Sequence, residues 1–252
     1  MEGIAALVRA TRCTGCSGND WRFVAEQRGH VWWRCAACGF VRLIPMADEA
    51  AARAEIGGDE IGRSYIASYR IKLAQKMRRS RRRVRRLARR MPGPKLLDVG
   101  SNIGCLVEAG RHIGLAGIGV EINPTLVDFA RKTYPSCRFV AAPIEQAPLD
   151  GAAFDGIYCS EVIEHVPDQD QFVAALAACL GRNGVLYLTT PHAREYLGRG
   201  SRRRDDFGAP DHKHYHTHRS LRALLLRHGF AGVRFVPTFG RGLKLYAVKG
   251  GA

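Results

Sequence analysis

The heptapeptide "DVGSNIG", Asp98–Gly104, closes the apolar run "KLLDVG" and precedes "CLVEAGRHIG". An apolar run, two glycines that tolerate positive φ and a helix-like stretch read as strand, tight turn and helix. The turn poses a choice of ligand. A turn built for a pyrophosphate uses the spacing G-x-G-x-x-G, so that backbone N–H groups close on the phosphates. Here the glycines are Gly100 and Gly104, Asn102 holds the middle position, and Asp98 ends the strand. A carboxylate that close repels a pyrophosphate and suits a positively charged ligand.

Outward from the turn, "AGIGVE" reads as a second strand and "PTLVDFARKTY" as a second helix. This alternation predicts a parallel sheet with ligands at the carboxyl ends of its strands. Glu121 ends the second strand 23 residues after Asp98, where a carboxylate can accept both hydroxyls of a ribose. Two acids and an open glycine turn describe a site for S-adenosylmethionine, with its ammonium, sulfonium and ribose.

These residues resemble the class I S-adenosylmethionine-dependent methyltransferases. "LLDVGSNIG" is similar to their first motif, "GVEIN" to the end of the second strand, "FDGIYCSEVIEHV" to the fourth strand and its loop, and "LGRNGVLYLTTP" to the fifth strand with its preceding turn. The resemblance implies a Rossmann-like α/β fold with a seven-stranded sheet. It implies that Asp98, Gly100, Ser101, Asn102 and Gly104 surround the methionine part of the cofactor, and Glu121 and Ile122 the ribose. By the same resemblance "AAPIEQ", residues 141–146, would flank the adenine with Ile144 in contact, and Ser160 and Glu161 would complete the set. Asn102 stands where the family pattern has glycine. The "GSN" variant resembles zinc-ribbon-bearing sugar methyltransferases, whose further C-terminal domain does not fit in this length; their C-methylation chemistry is not carried over.

Glu161, Glu164 and His165 fall at i, i+3 and i+4, so one helical turn would point all three the same way. "EVIEH" is similar to the loop of ubiquinone-pathway O-methyltransferases and small-RNA 2′-O-methyltransferases, where Glu, Glu and His bind a divalent ion. The histidine those RNA enzymes add from a later segment matches His212 best, within "APDHKHYHTHRSL". The resemblance leaves two roles open for His165, general base or metal ligand beside Glu161, Glu164 and His212. Histidines at 212, 214, 216 and 218 read as alternating positions of an extended lid with half facing solvent. Tyr65 and Tyr69 either close over the cofactor or pack on their own helix.

The first residues carry a different signal. Cys13, Cys16, Cys35 and Cys38 form two CxxC pairs separated by 18 residues, the spacing of a closed tetrahedral zinc site or, alternatively, of two redox pairs. "DWRFVAEQRGHVWWRC" between them reads as a hairpin turning at Arg28-Gly29-His30, and the other four cysteines, Cys105, Cys137, Cys159 and Cys179, as core. From Ser64 to Arg90 the chain holds no Gly or Pro, and Ile66, Tyr69, Leu73, Met77, Val84, Leu87 and Met91 form one stripe, predicting a single long helix. Nine arginines lie between Arg78 and Arg90, and residues 45–95 hold 15 basic against 5 acidic side chains of a chain whose formal net charge is +16. That row is an anion-binding face or a solvated one.

The expected organisation is a zinc ribbon over residues 1–44, a basic helical connector over 45–93 and a catalytic domain over 94–252. "GRGSRRRDDFGAP", residues 198–210, reads as a mobile loop over the acceptor, and the chain's end as a helix and a strand pair joined through Gly240 and Gly242. The expected activity is methylation of an oxygen on a sugar, glycan or small hydroxylated metabolite, with S-adenosylmethionine, structural zinc and an optional divalent metal. The rivals are an RNA methyltransferase whose ribbon and arginine row bind RNA, and a non-catalytic module. The longest apolar stretch at the start, Ile4–Val8, is too short for a leader, and no span reaches the roughly 18 apolar residues of a membrane helix. A cytoplasmic protein, with the apolar stripe free to pair two subunits, is therefore expected.

Overall fold

Neighbouring residues of the central strands point to opposite faces of one sheet, and each face has its own core. The computed structural model describes residues 2–46, 57–149, 151, 153–197, 206–238 and 242–250. Strands β4 (Lys95–Val99), β5 (Ala116–Glu121), β6 (Arg138–Ala141), β7 (Phe154–Ser160), β8 (Leu180–Thr190), β10 (Phe230–Phe235) and β11 (Leu243–Lys249) form a seven-stranded sheet. Its order is β10-β11-β8-β7-β4-β5-β6. β4 to β8 run parallel, and β11 pairs antiparallel with both β8 and β10.

On one face Leu97, Ile157, Leu186 and Leu245 meet α6 (Gln169–Cys179) and α8 (His218–Arg227), which the short α7 (Arg194–Leu197) separates in the chain, through Phe172, Leu176, Leu221 and Leu224. On the other, Leu96, Tyr158, Val185 and Tyr187 meet Val84 and Leu87 of α3 (Leu73–Ala88) and Leu106 and Ala109 of α4 (Cys105–Arg111). Local signals set the helix starts. Asn123 caps α5 (Pro124–Thr133) by accepting from Leu126 N at 3.2 Å, with Pro124 in the first turn. Asp168 caps α6 in the same way, and Thr217 and Ser220 form a reciprocal capping box on α8.

The long helix expected over 64–90 is two helices. α2 (Asp59–Ile71) ends at Lys72, whose φ of −111° and ψ of 12° break the ladder before α3. No glycine or proline marks the break. Packing causes it: α2 lies on α5 and α3 on α4. The apolar stripe is consumed inside the chain, Ile66, Tyr69, Leu73 and Met77 packing on Ile103, Cys105 and Leu126.

The second sheet joins the two ends of the chain. After α1 (Glu2–Ala10), β1 (Trp21–Gln27) and β2 (His30–Cys35) form the expected hairpin, closed by Arg28 and Gly29 with φ of 53° and 76°, the two left-handed residues of a tight hairpin turn. β3 (Val41–Leu43) pairs with β2, and the fourth strand is β9 (His214–Tyr215), more than 170 residues further on. Trp32, fully buried, lies 5.1 Å from Phe207 and 5.3 Å from Tyr215 between ring centroids. Of the expected 198–210 loop and Gly240, residues 198–205 and Gly240 lie outside the described residues, and Phe207 and Ala209 are buried. Among the described residues no helix is long and apolar enough to cross a membrane.

Candidate active site

β4 and β5 end side by side, with Asp98 paired to Gly119 and Val99 to Val120, so the turn after β4 sits over the end of β5. Three left-handed residues shape it: Gly100, Asn102 and Gly104 have φ of 72°, 51° and 80°. A Cβ on Gly100 would stand 2.4 Å from Val162 Cγ2, and one on Gly104 2.5 Å from the Phe139 ring. Asn102 takes the left-handed conformation while its side chain accepts from Ile103 N at 2.9 Å, a local bond to the next residue that suits asparagine there. Glu121 ties turn and strand together, accepting from Asn102 N at 2.9 Å and from Asn123 N at 3.1 Å.

A cavity of about 530 Å³ opens above these strand ends. Asp98, Gly100, Ser101, Asn102, Glu121, Ile122, Ile144, Ser160 and Glu161, all anticipated, line it. Gly104 does not; it serves as the left-handed residue that starts α4. Burial pushes the Asp98 carboxyl up to about 8, the Glu121 charge adding to the rise and Arg83 opposing it. Burial also raises Glu121, against the backbone N–H groups of Asn123, Asn102 and Ile122.

A second group of side chains reaches the same cavity from two other segments. Residues 161–165 follow β7 as an irregular turn, and Glu161 has a φ of +56°. That conformation separates it from the others. Its carboxylate accepts from Thr189 Oγ1 at 2.7 Å, so the expected face of two acids and a histidine on one helical turn does not form. Glu164, His165 and His212 do converge, with ligand atoms all within 4.8 Å of one another. Glu164 is fully buried; one oxygen accepts from Thr190 Oγ1 at 3.0 Å and the other, Oε1, has no partner. Burial lifts its carboxyl to about 8, His165 opposing and Glu161 adding. His165 lines the cavity, and its Nδ1 lies 2.9 Å from Asp211 Oδ1. Burial lowers its basicity, but the bond to Asp211 and the Glu164 charge outweigh that, and the net shift is upward. His212 lies behind, its ring 4.8 Å from that of His165 and its Nδ1 2.9 Å from Tyr215 Oη.

The histidine segment is not an alternating lid. Lys213, His214, Tyr215 and His216 are all buried, because this segment is sandwiched between the four-stranded sheet and the 161–166 turn. Sequence reading also missed Asp211 as the partner of His165, and Lys76, Arg79 and Arg83, which line the cavity from α3. Their spacing of three and four residues was the available signal. Tyr65 and Tyr69 stack at 5.6 Å and line the cavity too, while Tyr69 also packs in the apolar stripe. Lys76 Nζ sits 3.0 Å over the Tyr69 ring, and burial brings its pKa down to about 8.

At the other end of the chain the four cysteine sulfurs converge, with Cys13–Cys38 and Cys16–Cys35 each at 3.5 Å. Four thiolates around zinc at about 2.3 Å stand about 3.8 Å apart, so the set fits a closed zinc shell with no position for catalysis. Of the remaining cysteines, Cys105 and Cys159 are buried and Cys137 and Cys179 half-buried.

Sheet order and cavity together define the class I S-adenosylmethionine-dependent methyltransferase fold. A family model described as "Methyltransferase domain" matches residues 69–234, and the chain belongs to that family. Ubiquinone biosynthesis O-methyltransferase from Xanthomonas campestris pv. campestris (strain B100) is 32% identical over 105 residues, 40% of this chain and 44% of that protein. The same-named protein of Coxiella burnetii (strain RSA 493 / Nine Mile phase I) is 32% identical over 104 residues with the same coverage. The chain thus matches less than half the length of these curated relatives. Among solved structures, magnesium protoporphyrin IX methyltransferase (ChlM) from Synechocystis PCC 6803 with bound S-adenosylmethionine superposes with a TM-score of 0.56 at 17% identity, covering 82% of this chain and 99% of that one. Burkholderia thailandensis 1,6-didemethyltoxoflavin-N1-methyltransferase gives 0.56 at 18%, covering 91% and 100%. At such identities the likeness is one of fold. The residues present fit the cofactor's chemistry. The cavity lies within the roughly 300–1,000 Å³ of small-ligand sites, it is lined by Asp98, an acid suited to a positively charged amino-acid part, and by Glu121, an acid suited to ribose hydroxyls, and Ser101 Oγ is a buried polar atom without a partner.

Proposed function

We propose that the chain methylates an oxygen of a sugar, glycan or other small hydroxylated acceptor, with S-adenosylmethionine as donor. The observation that carries this reading is that His165, paired to Asp211, shares one cavity with Asp98 and Glu121. When bound there, S-adenosylmethionine supplies a methyl group activated by its sulfonium. Asp98 and the turn after β4 face its amino-acid part, Glu121 and Ile122 the ribose, and Ile144 the base. Ser160 and Glu161 border the same space.

Asp211 holds His165 with Nδ1 as the donor, leaving Nε2 to take the proton of the acceptor hydroxyl as the oxygen attacks. The imidazolium so formed is stabilised by the same carboxylate. Tyr65 and Tyr69 restrict water at the mouth.

A second reading gives Glu164, His165 and His212 to a divalent ion, favoured by the partnerless Oε1 of a fully buried carboxylate. Such an ion would make the hydroxyl more acidic near neutral pH. Full activity in excess chelator, with the ribbon still loaded, removes it. The acceptor is found by incubating the protein with methyl-labelled S-adenosylmethionine and host extract divided into small-molecule, glycan, protein and RNA pools. Label in the small-molecule or glycan pool is expected. Nuclease-sensitive label in RNA overturns the acceptor class and makes the arginine row of α3 a phosphate-binding face, with binding that weakens steeply as salt rises.

A further inference from the structure

The cysteine ribbon and the histidine side of the cavity share a wall. β9, which pairs with β3 as the edge of the ribbon sheet, follows Asp211 and His212 after the single residue Lys213. Backbone bonds cross it in both directions: Leu43 N donates to Lys213 O at 3.1 Å, and Lys213 N donates to Glu164 O at 2.8 Å. One residue therefore bridges the ribbon to the turn that carries Glu164 and His165.

A second route starts at the second cysteine knuckle. Cys38 O accepts from Thr217 Oγ1 at 2.7 Å. Phe40, two residues on and fully buried, packs its ring 5.6 Å from His214 and 4.7 Å from His216. Those two imidazoles hold the far side. His214 Nε2 lies 2.9 Å from Val166 O, and His216 Nε2 lies 3.1 Å from Gln169 Oε1. Gln169 Nε2 in turn donates to Ile163 O at 2.9 Å. Both ends of the 163–166 turn thus hang on rings that rest against Phe40. Tyr215 completes the arrangement, its hydroxyl bonded to Phe207 O and to His212 while its ring packs on Trp32.

We propose that the cysteine ribbon is a positioning element for the histidine side of the cavity. Metal bound at Cys13, Cys16, Cys35 and Cys38 fixes the knuckle that sets Phe40 and β3. These hold residues 211–217, and so align Asp211 and His212 with His165. Phe40, Trp32 and Thr217 act through other residues and are positioning residues. Asp98 and Glu121 are built by β4 and β5, which take no part in this chain of contacts, so cofactor affinity is independent of the ribbon.

Hydrogen exchange by mass spectrometry on the full chain tests this, zinc-loaded, zinc-stripped, and as zinc-loaded Phe40→Leu, Thr217→Val and Thr217→Ser. Zinc loss and Phe40→Leu are expected to speed exchange at residues 213–216 and at 163–166 by about tenfold or more, while β4 and β5 keep their protection. Thr217→Val should give a smaller rise and Thr217→Ser should restore wild-type exchange. Calorimetry on Phe40→Leu should return an S-adenosylmethionine affinity within about twofold of wild type. Unchanged exchange at 163–166 in both zinc-stripped protein and Phe40→Leu overturns the proposal. So does loss of protection in zinc-loaded Phe40→Leu that spreads equally to β4 and β5, which would mean general destabilisation. Neither readout needs turnover, so the result stands apart from the identity of the acceptor.

Discussion

The two sides of the cavity are built in opposite ways. The glycine-turn side is local: Asp98, Gly100, Asn102 and Glu121 come from 24 consecutive residues, joined by one strand pairing and two bonds to Glu121. The histidine side draws on residues 161–166 and 207–217 and on the ribbon that braces them, segments that meet only in the folded chain. A local site tolerates damage elsewhere, whereas an assembled one fails when any contributor moves. Cofactor binding and acceptor chemistry should therefore separate under mutation.

The largest effect is expected for His165→Ala. Loss of a positioned base lowers methyl transfer by about 10²–10⁴-fold, with the S-adenosylmethionine Kd unchanged, and steady-state kinetics with a parallel titration reads both. Trp32→Ala, removing a fully buried ring from the joint, should lower stability by about 3–5 kcal/mol in denaturant unfolding. A loss below about 1 kcal/mol would mean that the ring is not central to the joint. Glu121→Gln keeps the shape but removes the charge, and should weaken S-adenosylmethionine by about 10–100-fold, matching a charged hydrogen bond of about 1.5–3 kcal/mol.

The pH dependence is smaller and has a definite sign. The buried Asp98 carboxyl titrates at about 8 in the cofactor-free protein, and a cationic ligand prefers the ionised form. Affinity should therefore rise with pH below about 8, by at most about tenfold per pH unit, and level off above it. Stability of the cofactor-free protein runs the other way: the folded state holds this proton more tightly than the unfolded one, so stability falls as pH rises from 3.8 toward about 8. Asp98→Asn should flatten the affinity curve and reduce the stability slope, the part that remains coming from the buried Glu164 carboxyl, which is also pushed up to about 8. The smallest effect is predicted for Asp206→Ala. Its ion pair with Arg28 is 3.7 Å long with both side chains more than half exposed, and exposed pairs contribute about 0–1 kcal/mol.

The same contrast explains what the sequence reveals. The strand, turn and helix around Asp98, the hairpin turn at Arg28-Gly29 and the four-cysteine set are each written in a few consecutive residues with a local physical cause. The histidine segment is not. The alternating spacing of the histidines suggests half of them facing solvent, yet His214 and His216 are buried with Lys213, where backbone carbonyls bond Lys213 Nζ and His214 Nε2, and Ser220 and Gln169 bond the two nitrogens of His216. A two-residue strand pairing with a partner 170 residues away carries no periodicity. The break at Lys72 is likewise imposed by two packing partners, not by a residue that disfavours helix. Glu161 shows the same limit: helical spacing aims it at His165, and its left-handed backbone turns it to Thr189.

Titration calorimetry of S-adenosylmethionine into zinc-loaded wild type, Asp98→Ala and His165→Ala tests the division of the cavity most directly. Saturable one-site binding to wild type and to His165→Ala within about twofold, and its loss in Asp98→Ala, is the predicted result. Absence of binding to wild type, or an equal loss in both variants, would contradict it.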